Sequence, residues 1–129
     1  MGIDDTYIKL SRKILRWAWY KDALVKSLFI HLLLTVNSEA RYTKGQYVKR
    51  GQLLTSVSLL SEETGMTPKQ LRTALNKLKK SEEIRFETHP YGTLITVPKY
   101  ELYQNIARKA DPNEGEVKDI AKDEGWIFQ

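Results

Sequence analysis

Apolar residues recur at helical spacing in several segments of the chain. In residues 11–20, which open at Ser11, they fall near one face: Ile14, Leu15, Ala18 and Trp19. A second helix is expected after Asp22, a residue type that caps helices, and should run to about Val36. Its apolar residues cover almost the whole circumference, so this helix should be buried on more than one side.

Such an all-round apolar helix has two explanations in a small protein. It occupies the centre of the core, or it forms a contact between subunits. The sequence leaves both open, and self-association is expected. Under the second explanation the interface residues are Leu24, Leu28, Ile30 and Leu34.

Two further helices are predicted close together, joined by a short turn. The first starts at Ser56 and ends at Gly65, a residue that commonly terminates helices. The second starts at Pro68, because Thr67 is suited to the N-cap and Gln70 stands three residues later, which makes a capping box. Its expected buried stripe is Leu71, Ala74, Leu75 and Leu78.

Strands are indicated where apolar and polar residues alternate. Residues 46–49 and 52–55 flank Arg50-Gly51 and are predicted to pair as a short hairpin, while residues 37–45 are expected to be a loop. A second hairpin is predicted over residues 84–97, around His89-Pro90-Tyr91-Gly92. A short final helix should follow over residues 98–107 and pack through Tyr100, Tyr103 and Ile106.

These elements predict an α+β, mainly α, domain over residues 1–107. The order matches a winged helix-turn-helix with an N-terminal helical extension and short β-hairpins. The helix-turn-helix is expected at about residues 56–81 and the wing at about 84–97. Residues 108–129 have six acids against four bases and are expected to form a mobile acidic tail.

Composition narrows the class of protein. The chain has 129 residues, 41% hydrophobic and 29% charged, as in an ordinary single globular domain. It contains no cysteine, which excludes disulfides, thiolate metal sites and a cysteine nucleophile and favours the cytoplasm. The first ten residues lack the basic start of a signal peptide, and no apolar stretch is long enough to span a membrane.

Charge points to an anionic partner. The net charge is +5, and because the tail is acidic, residues 1–107 have a net charge of +7. A basic body of this kind suits a polyanion. Between Thr67 and Lys80 there are five bases and no acid, which is unusual for a surface helix and fits the major groove of DNA.

The predicted DNA-binding residues fall into three groups. The first group lies near the start of the second helix of the pair, where side chains can contact the bases and phosphates of DNA: Thr67, Lys69, Gln70, Arg72 and Thr73. Farther along are Asn76, an amide that can read adenine, and two phosphate contacts, Lys77 and Lys80. The wing candidates for the backbone or minor groove are Arg85, His89 and Tyr91.

Catalytic motifs are not found in the sequence. It has no phosphate-binding GxxxxGK[ST] loop, no HExxH and no nucleophile elbow, and its two histidines, His31 and His89, stand in unrelated segments. We therefore expect a protein that is not an enzyme, with no cofactor, no metal and no small-molecule substrate. The three tryptophans, Trp17, Trp19 and Trp126, could stack on single-stranded bases, but the spacing of Trp17 and Trp19 is more typical of a core.

Residues 50–84, RGQLLTSVSLLSEETGMTPKQLRTALNKLKKSEEI, resemble the winged-helix domain of phage replisome-organiser and DnaD-type primosome proteins. The similarity is in Arg50-Gly51-Gln52, Thr55-Ser56, a following Leu and the Gly before the second helix. Residues 7–37 also look like the start of those proteins, so the resemblance extends from about Tyr7 to Gln104. At Glu82 the family often has Gly, so the tight left-handed cap either does not form here or is strained by roughly 1 kcal/mol.

The resemblance implies a cytoplasmic, often phage or prophage-encoded protein that binds origin or primosomal DNA, self-associates and recruits a helicase or its loader. The family's long C-terminal domain has no counterpart in these 129 residues. The leading hypothesis is a non-enzymatic protein of phage-type DNA replication that binds double-stranded DNA, with single-stranded DNA as a second candidate ligand. The alternatives are a transcriptional regulator with the same helix and a protein-binding oligomerisation module.

Overall fold

The computed structural model of the protein describes residues 7–105, which form a mixed α+β fold as predicted. The helices are a 3₁₀ helix at Arg12–Arg16 and four α-helices, α1 (Ala23–Thr35), α2 (Val57–Thr64), α3 (Pro68–Lys80) and α4 (Tyr100–Asn105). The strands are β1 (Arg41–Thr43), β2 (Gln46–Val48), β3 (Gln52–Thr55), β4 (Arg85–His89) and β5 (Gly92–Thr96). The predicted mobile tail at 108–129 and the packing of Ile106 lie outside the described residues.

The N-terminal segment departs from the predicted helix over residues 11–20. Only Arg12–Arg16 is helical, and Trp17 already has an extended backbone. Two tertiary hydrogen bonds account for this: Trp17 Nε1 donates to Glu83 Oε2 at 3.2 Å, and Trp19 Nε1 donates to Ser81 Oγ at 2.9 Å. An unbroken helix could not direct both indoles toward residues 81–83, because positions two apart diverge by about 200° around a helix.

Helix α1 lies at the centre of the core. Asp22 is its N-cap, as predicted, and accepts a hydrogen bond from the backbone N–H of Val25 at 3.1 Å. The expectation that Leu28 forms a subunit interface is wrong for the folded chain, because Leu28 is fully buried among the residues of its own core. Leu24 and Leu34 remain exposed, and Ile30 is half-buried.

Helices α2 and α3 confirm the prediction of two helices joined by a short turn. Ser56 caps α2 through its side chain, and Gly65 ends it in a left-handed conformation with φ of 79°. At the start of α3 both hydrogen bonds of the predicted capping box are formed. The buried residues of α3 are also those expected: Leu71, Ala74, Leu75 and Leu78.

The strands form two separate antiparallel sheets. The hairpin predicted for residues 84–97 is present as β4 and β5, and β3 joins it to give the order β3-β5-β4. The predicted pairing of residues 46–49 with 52–55 is wrong, since β2 pairs with β1 in the segment expected to be a loop.

The backbone explains that difference. Lys44 and Gly45 both have positive φ, 52° and 76°, as the tight two-residue turn of a β1–β2 hairpin requires. Gly51, with φ of 82°, donates from its N–H to Asn37 O, and its carbonyl accepts from the N–H of Val97. The chain at Gly51 is therefore held between α1 and the end of β5, and it cannot close a hairpin with β2.

Helix α4 closes the core, as predicted for Tyr100 and Tyr103, which are both buried. Tyr103 packs edge-on against Phe29 of α1, and Phe29 in turn contacts Trp17, with ring centroids 6.2 Å and 5.0 Å apart. None of the helices within residues 7–105 is long and apolar enough to cross a membrane.

Candidate nucleic-acid interface

The outward face of α3 is strongly basic. The side of the helix opposite the buried stripe has five exposed residues: Lys69, Arg72, Thr73, Asn76 and Lys80. Gln70 and Lys79 are also exposed, on its two flanks. No acid occurs anywhere in α3. The face combines three positive charges with a hydroxyl and an amide, and such groups bind phosphates and base edges.

Both ends of α3 are fixed by hydrogen bonds. At its start, the Thr67 side chain accepts from the N–H of Gln70 at 3.1 Å, and Gln70 Oε1 accepts from the N–H of Thr67 at 2.9 Å. At its end, the N–H groups of Glu82 and Glu83 donate to the carbonyls of Lys79 and Leu78, each at 3.0 Å. This second pattern is a Schellman motif.

Glu82 occupies the left-handed position of that motif, with φ of 67°. Of the two sequence expectations for this position, an absent left-handed cap or a strained one, the structure has the left-handed backbone. A residue with a Cβ atom in this conformation stores about 1 kcal/mol of strain.

Two predicted DNA contacts are already engaged within the protein. Lys77 donates from Nζ to Asp22 Oδ2 at 2.9 Å and lies 5.7 Å from the centroid of the Trp19 ring. It therefore turns toward α1 and away from the outward face. Gln70 uses its carbonyl oxygen in the capping box, so it keeps only amide hydrogens for a ligand. Paired recognition of adenine by Gln70 would require breaking the capping box.

A shallow groove of about 200 Å³ separates the start of α1 from the first two turns of α3. Leu24 and Ala74 contribute apolar surface, while Lys69, Gln70 and Thr73 supply polar groups. Thr73 therefore stands at the border between the groove and the outward face of α3.

The β4–β5 hairpin carries the remaining predicted contacts. Phe86 faces the core side of the sheet, where Lys79 of α3 lies 4.6 Å from its ring centroid. Arg85 precedes it in β4 and so points to the other face of the sheet. Arg85 is thus separated from the basic face of α3.

At the tip of the same hairpin, His89 and Tyr91 stack with ring centroids 4.8 Å apart and an interplanar angle of 5°. His89 Nε2 also lies 2.9 Å from Glu87 Oε1. The acid beside His89 weakens the attraction of this tip for phosphate, and Tyr91 is half-buried with one face of its ring against His89.

Sequence reasoning missed a second basic region. A cleft of about 390 Å³ on the outer face of the three-stranded sheet is lined by three basic residues, Lys49, Arg50 and Arg85, and by two acidic ones, Glu87 and Glu101. Arg50 is held there by an ion pair with Glu101, by a 2.6 Å hydrogen bond to the carbonyl of Ser38 and by the Tyr100 ring. Its sequence signal is the run from Arg41 to Arg50, which has four bases and no acid.

A buried carboxylate supports the end of α3. Glu83 accepts hydrogen bonds from the Trp17 indole and the Ser81 hydroxyl, and burial raises the pKa of its side chain. These contacts tie the N-terminal segment to the Schellman turn. Glu83 therefore helps to position the end of α3.

Comparison with known proteins gives no family for the chain. No family model matches it, and no curated protein and no solved structure shows a significant similarity to it.

Proposed function

We propose that this protein is a non-enzymatic DNA-binding protein that inserts α3 into the major groove of double-stranded DNA. The observation that carries the proposal is the outward face of α3, which has three basic residues, no acidic residue and two neutral polar side chains. At 13 residues, α3 is about 20 Å long, long enough to lie across several base pairs.

The order of elements supports a winged-helix interpretation. Helix α1, strand β3, helices α2 and α3 and the β4–β5 hairpin follow one another, with β3 completing a three-stranded sheet. In a winged helix-turn-helix the second helix of the pair enters the groove while neighbouring elements contact the backbone. In that arrangement Lys69 and Lys80 bind phosphates, and Thr73 and Asn76 face base edges.

The biological role proposed is phage-type replication initiation in the cytoplasm, with a helicase or helicase loader as a further partner. Its support is the resemblance in Arg50-Gly51-Gln52 and Thr55-Ser56, and each of these segments has a defined place in the fold. Gly51 is hydrogen-bonded to Asn37, just after α1, and to Val97, just after β5, and Ser56 caps α2. A transcriptional regulator would use the same face of α3.

Mobility-shift titrations with a DNA duplex at several salt concentrations test the DNA-binding proposal. We expect affinity to fall as salt rises, because bound lysines release counterions from the phosphates. Changing Lys69→Ala together with Lys80→Ala should weaken binding to every sequence and reduce the slope of log K against log salt by about 2, or 0.9 for each phosphate contact.

The matched control removes two exposed bases outside α3, Arg12→Ala with Arg16→Ala, and so changes the net charge equally. It should leave the slope nearly unchanged. If both double variants reduce binding equally, the attraction is a general effect of charge. If neither alters binding while the circular dichroism spectrum stays native, the proposed interface is wrong.

A second candidate function is association with other protein chains, including a second copy. Leu34 and Leu59 are 59% and 43% exposed, and each lies one helical turn from the contact between His31 and Glu63 that joins α1 to α2. Sedimentation equilibrium should show concentration-dependent association that Leu34→Ser weakens. A monomer at high concentration would contradict this function.

A further inference from the structure

The β1–β2 hairpin presents two aromatic rings to solvent. Tyr42 and Tyr47 are directly opposite each other in the register, and their side chains are 74% and 54% exposed. Their ring centroids are 5.2 Å apart with an interplanar angle of 53°. Because the rings are tilted, each keeps part of one face open.

The hairpin is anchored so that these rings stay outside the core. Val48 is buried, and the Asn37 side chain donates to the carbonyl of Val48 at 3.3 Å. Neighbouring residues of a strand point to opposite faces, so Tyr47 is directed away from the side on which Val48 is buried. The tight turn at Lys44-Gly45 then fixes Tyr42 beside Tyr47.

The surroundings of the rings are positively charged. Residues 41–50 contain four bases and no acid. Arg41 has an acidic neighbour, Glu39, at 3.9 Å, and both side chains are largely exposed, so this pair is weak. Lys44 and Lys49 take part in no ion pair within residues 7–105. Lys49 also lines the cleft on the outer face of the three-stranded sheet, where Arg85 stands beside Glu87 and the ion pair of Arg50 with Glu101.

We infer that the β1–β2 hairpin is a binding site for single-stranded nucleic acid, separate from the face of α3. Exposed aromatic rings stack on unpaired bases, whose faces a duplex hides, and a basic groove follows the phosphates. The charge of the hairpin selects this polyanion over an apolar or basic partner surface. The inference does not depend on duplex binding by α3.

In this site the bases stack on Tyr42 and Tyr47, while Lys44 and Lys49 meet the phosphates on either side. The nucleic-acid strand then passes Lys49 into the cleft, where Arg85 is the next positively charged side chain. Stacking tolerates any base, so the site should show little sequence preference.

The test is fluorescence anisotropy with the full chain and a labelled oligothymidylate of about 12 nucleotides, a length within the range that single-strand binding folds cover. Changing Tyr42→Ala with Tyr47→Ala should weaken binding at least tenfold, as expected when a stacking ring is removed. The control, Tyr42→Phe with Tyr47→Phe, keeps both rings and should bind nearly as the parent does. All four changes are at exposed positions, so the fold should be retained.

Two comparisons separate this inference from the proposal for α3. Lys69→Ala with Lys80→Ala should reduce duplex binding and leave oligothymidylate binding largely intact, whereas the tyrosine changes should do the reverse. Photo-crosslinking to a bromodeoxyuridine oligonucleotide should label a peptide that contains Tyr42 or Tyr47.

Three results would overturn the inference. One is oligothymidylate binding that is equal in the parent and the double alanine variant. Another is crosslinking confined to other segments. The third is a change of oligomeric state on loss of the tyrosines without any change in oligonucleotide binding, which would make the pair a contact between copies of the chain.

Discussion

The carboxylate of Asp22 contacts Lys77 at 2.9 Å while its other oxygen caps the first turn of α1. One side chain thus fixes the beginning of α1 and holds a lysine of α3 against it. The hydrogen bond from Lys77, with that from the N–H of Val25, keeps the pKa of Asp22 below its ordinary value.

Replacing Asp22 should separate these two roles. Asp22→Ala removes both the cap and the ion pair and should lower the free energy of unfolding by about 1 kcal/mol, a typical cost for a lost N-cap. Asp22→Asn keeps an excellent capping residue and should lose less. Urea unfolding of both variants measures the difference, and equal losses would show that the cap contributes nothing.

The same carboxylate predicts a dependence on pH. A carboxyl with a lowered pKa in the folded state stabilises the protein above the unfolded value of about 3.9, and this stabilisation is lost as pH falls through the folded pKa. The difference in stability between the parent and Asp22→Asn should therefore shrink at acid pH. A difference that grows below pH 4 would contradict this sign.

Glu83 should have the opposite dependence. Because burial raises its pKa, its contribution to stability is greatest below the unfolded value of about 4.3 and falls as pH rises through the folded pKa. Glu83→Gln, which carries no charge, should gain stability relative to the parent between about pH 4 and neutrality. Unfolding curves across that range, with Glu87→Gln as an exposed control, test the prediction.

Glu82 offers a route to a more stable protein. Glu82→Gly should raise the free energy of unfolding by about 1 kcal/mol, since glycine adopts the left-handed conformation without strain. Glu82→Ala removes the same charge but retains a Cβ atom and serves as the matched control. If alanine stabilises as much as glycine, the gain comes from charge and the strain argument fails.

Recognition of bases by α3 should depend on Asn76 more than on Gln70. Asn76→Ala should cost about 1 to 3 kcal/mol on a preferred duplex and little on others, as expected for a lost amide contact to a base. Gln70→Ala should mainly lower the stability of α3, because its carbonyl oxygen belongs to the capping box. Selection from a random duplex pool, with thermal unfolding alongside, distinguishes the two effects.

The parts of the fold that follow from local chemistry could be predicted from the sequence. The capping box at Thr67, the cap at Asp22 and the buried stripe of α3 each depend on residues within one or two turns. The pairing of β1 with β2 escaped prediction, because it depends on positive φ at Lys44, a residue type with no preference for that conformation.

The candidate interface was predictable in composition and less so in geometry. The run of bases in α3 is visible in the sequence, but the diversion of Lys77 to Asp22 requires α1 and α3 to be adjacent. Likewise, the meeting of Lys49, Arg50 and Arg85 in one cleft depends on contacts between residues far apart in the chain.

Trp17 and Trp19 both end on the turn that follows α3, one on Glu83 and the other on Ser81. Indole emission responds to nearby charge and to water, so these two side chains form a natural optical probe of the helix proposed to enter DNA. A ligand that shifts the end of α3 should change the wavelength or the intensity of the tryptophan fluorescence, so no added label is needed. With Trp126 replaced by Phe, the signal would come from this junction alone.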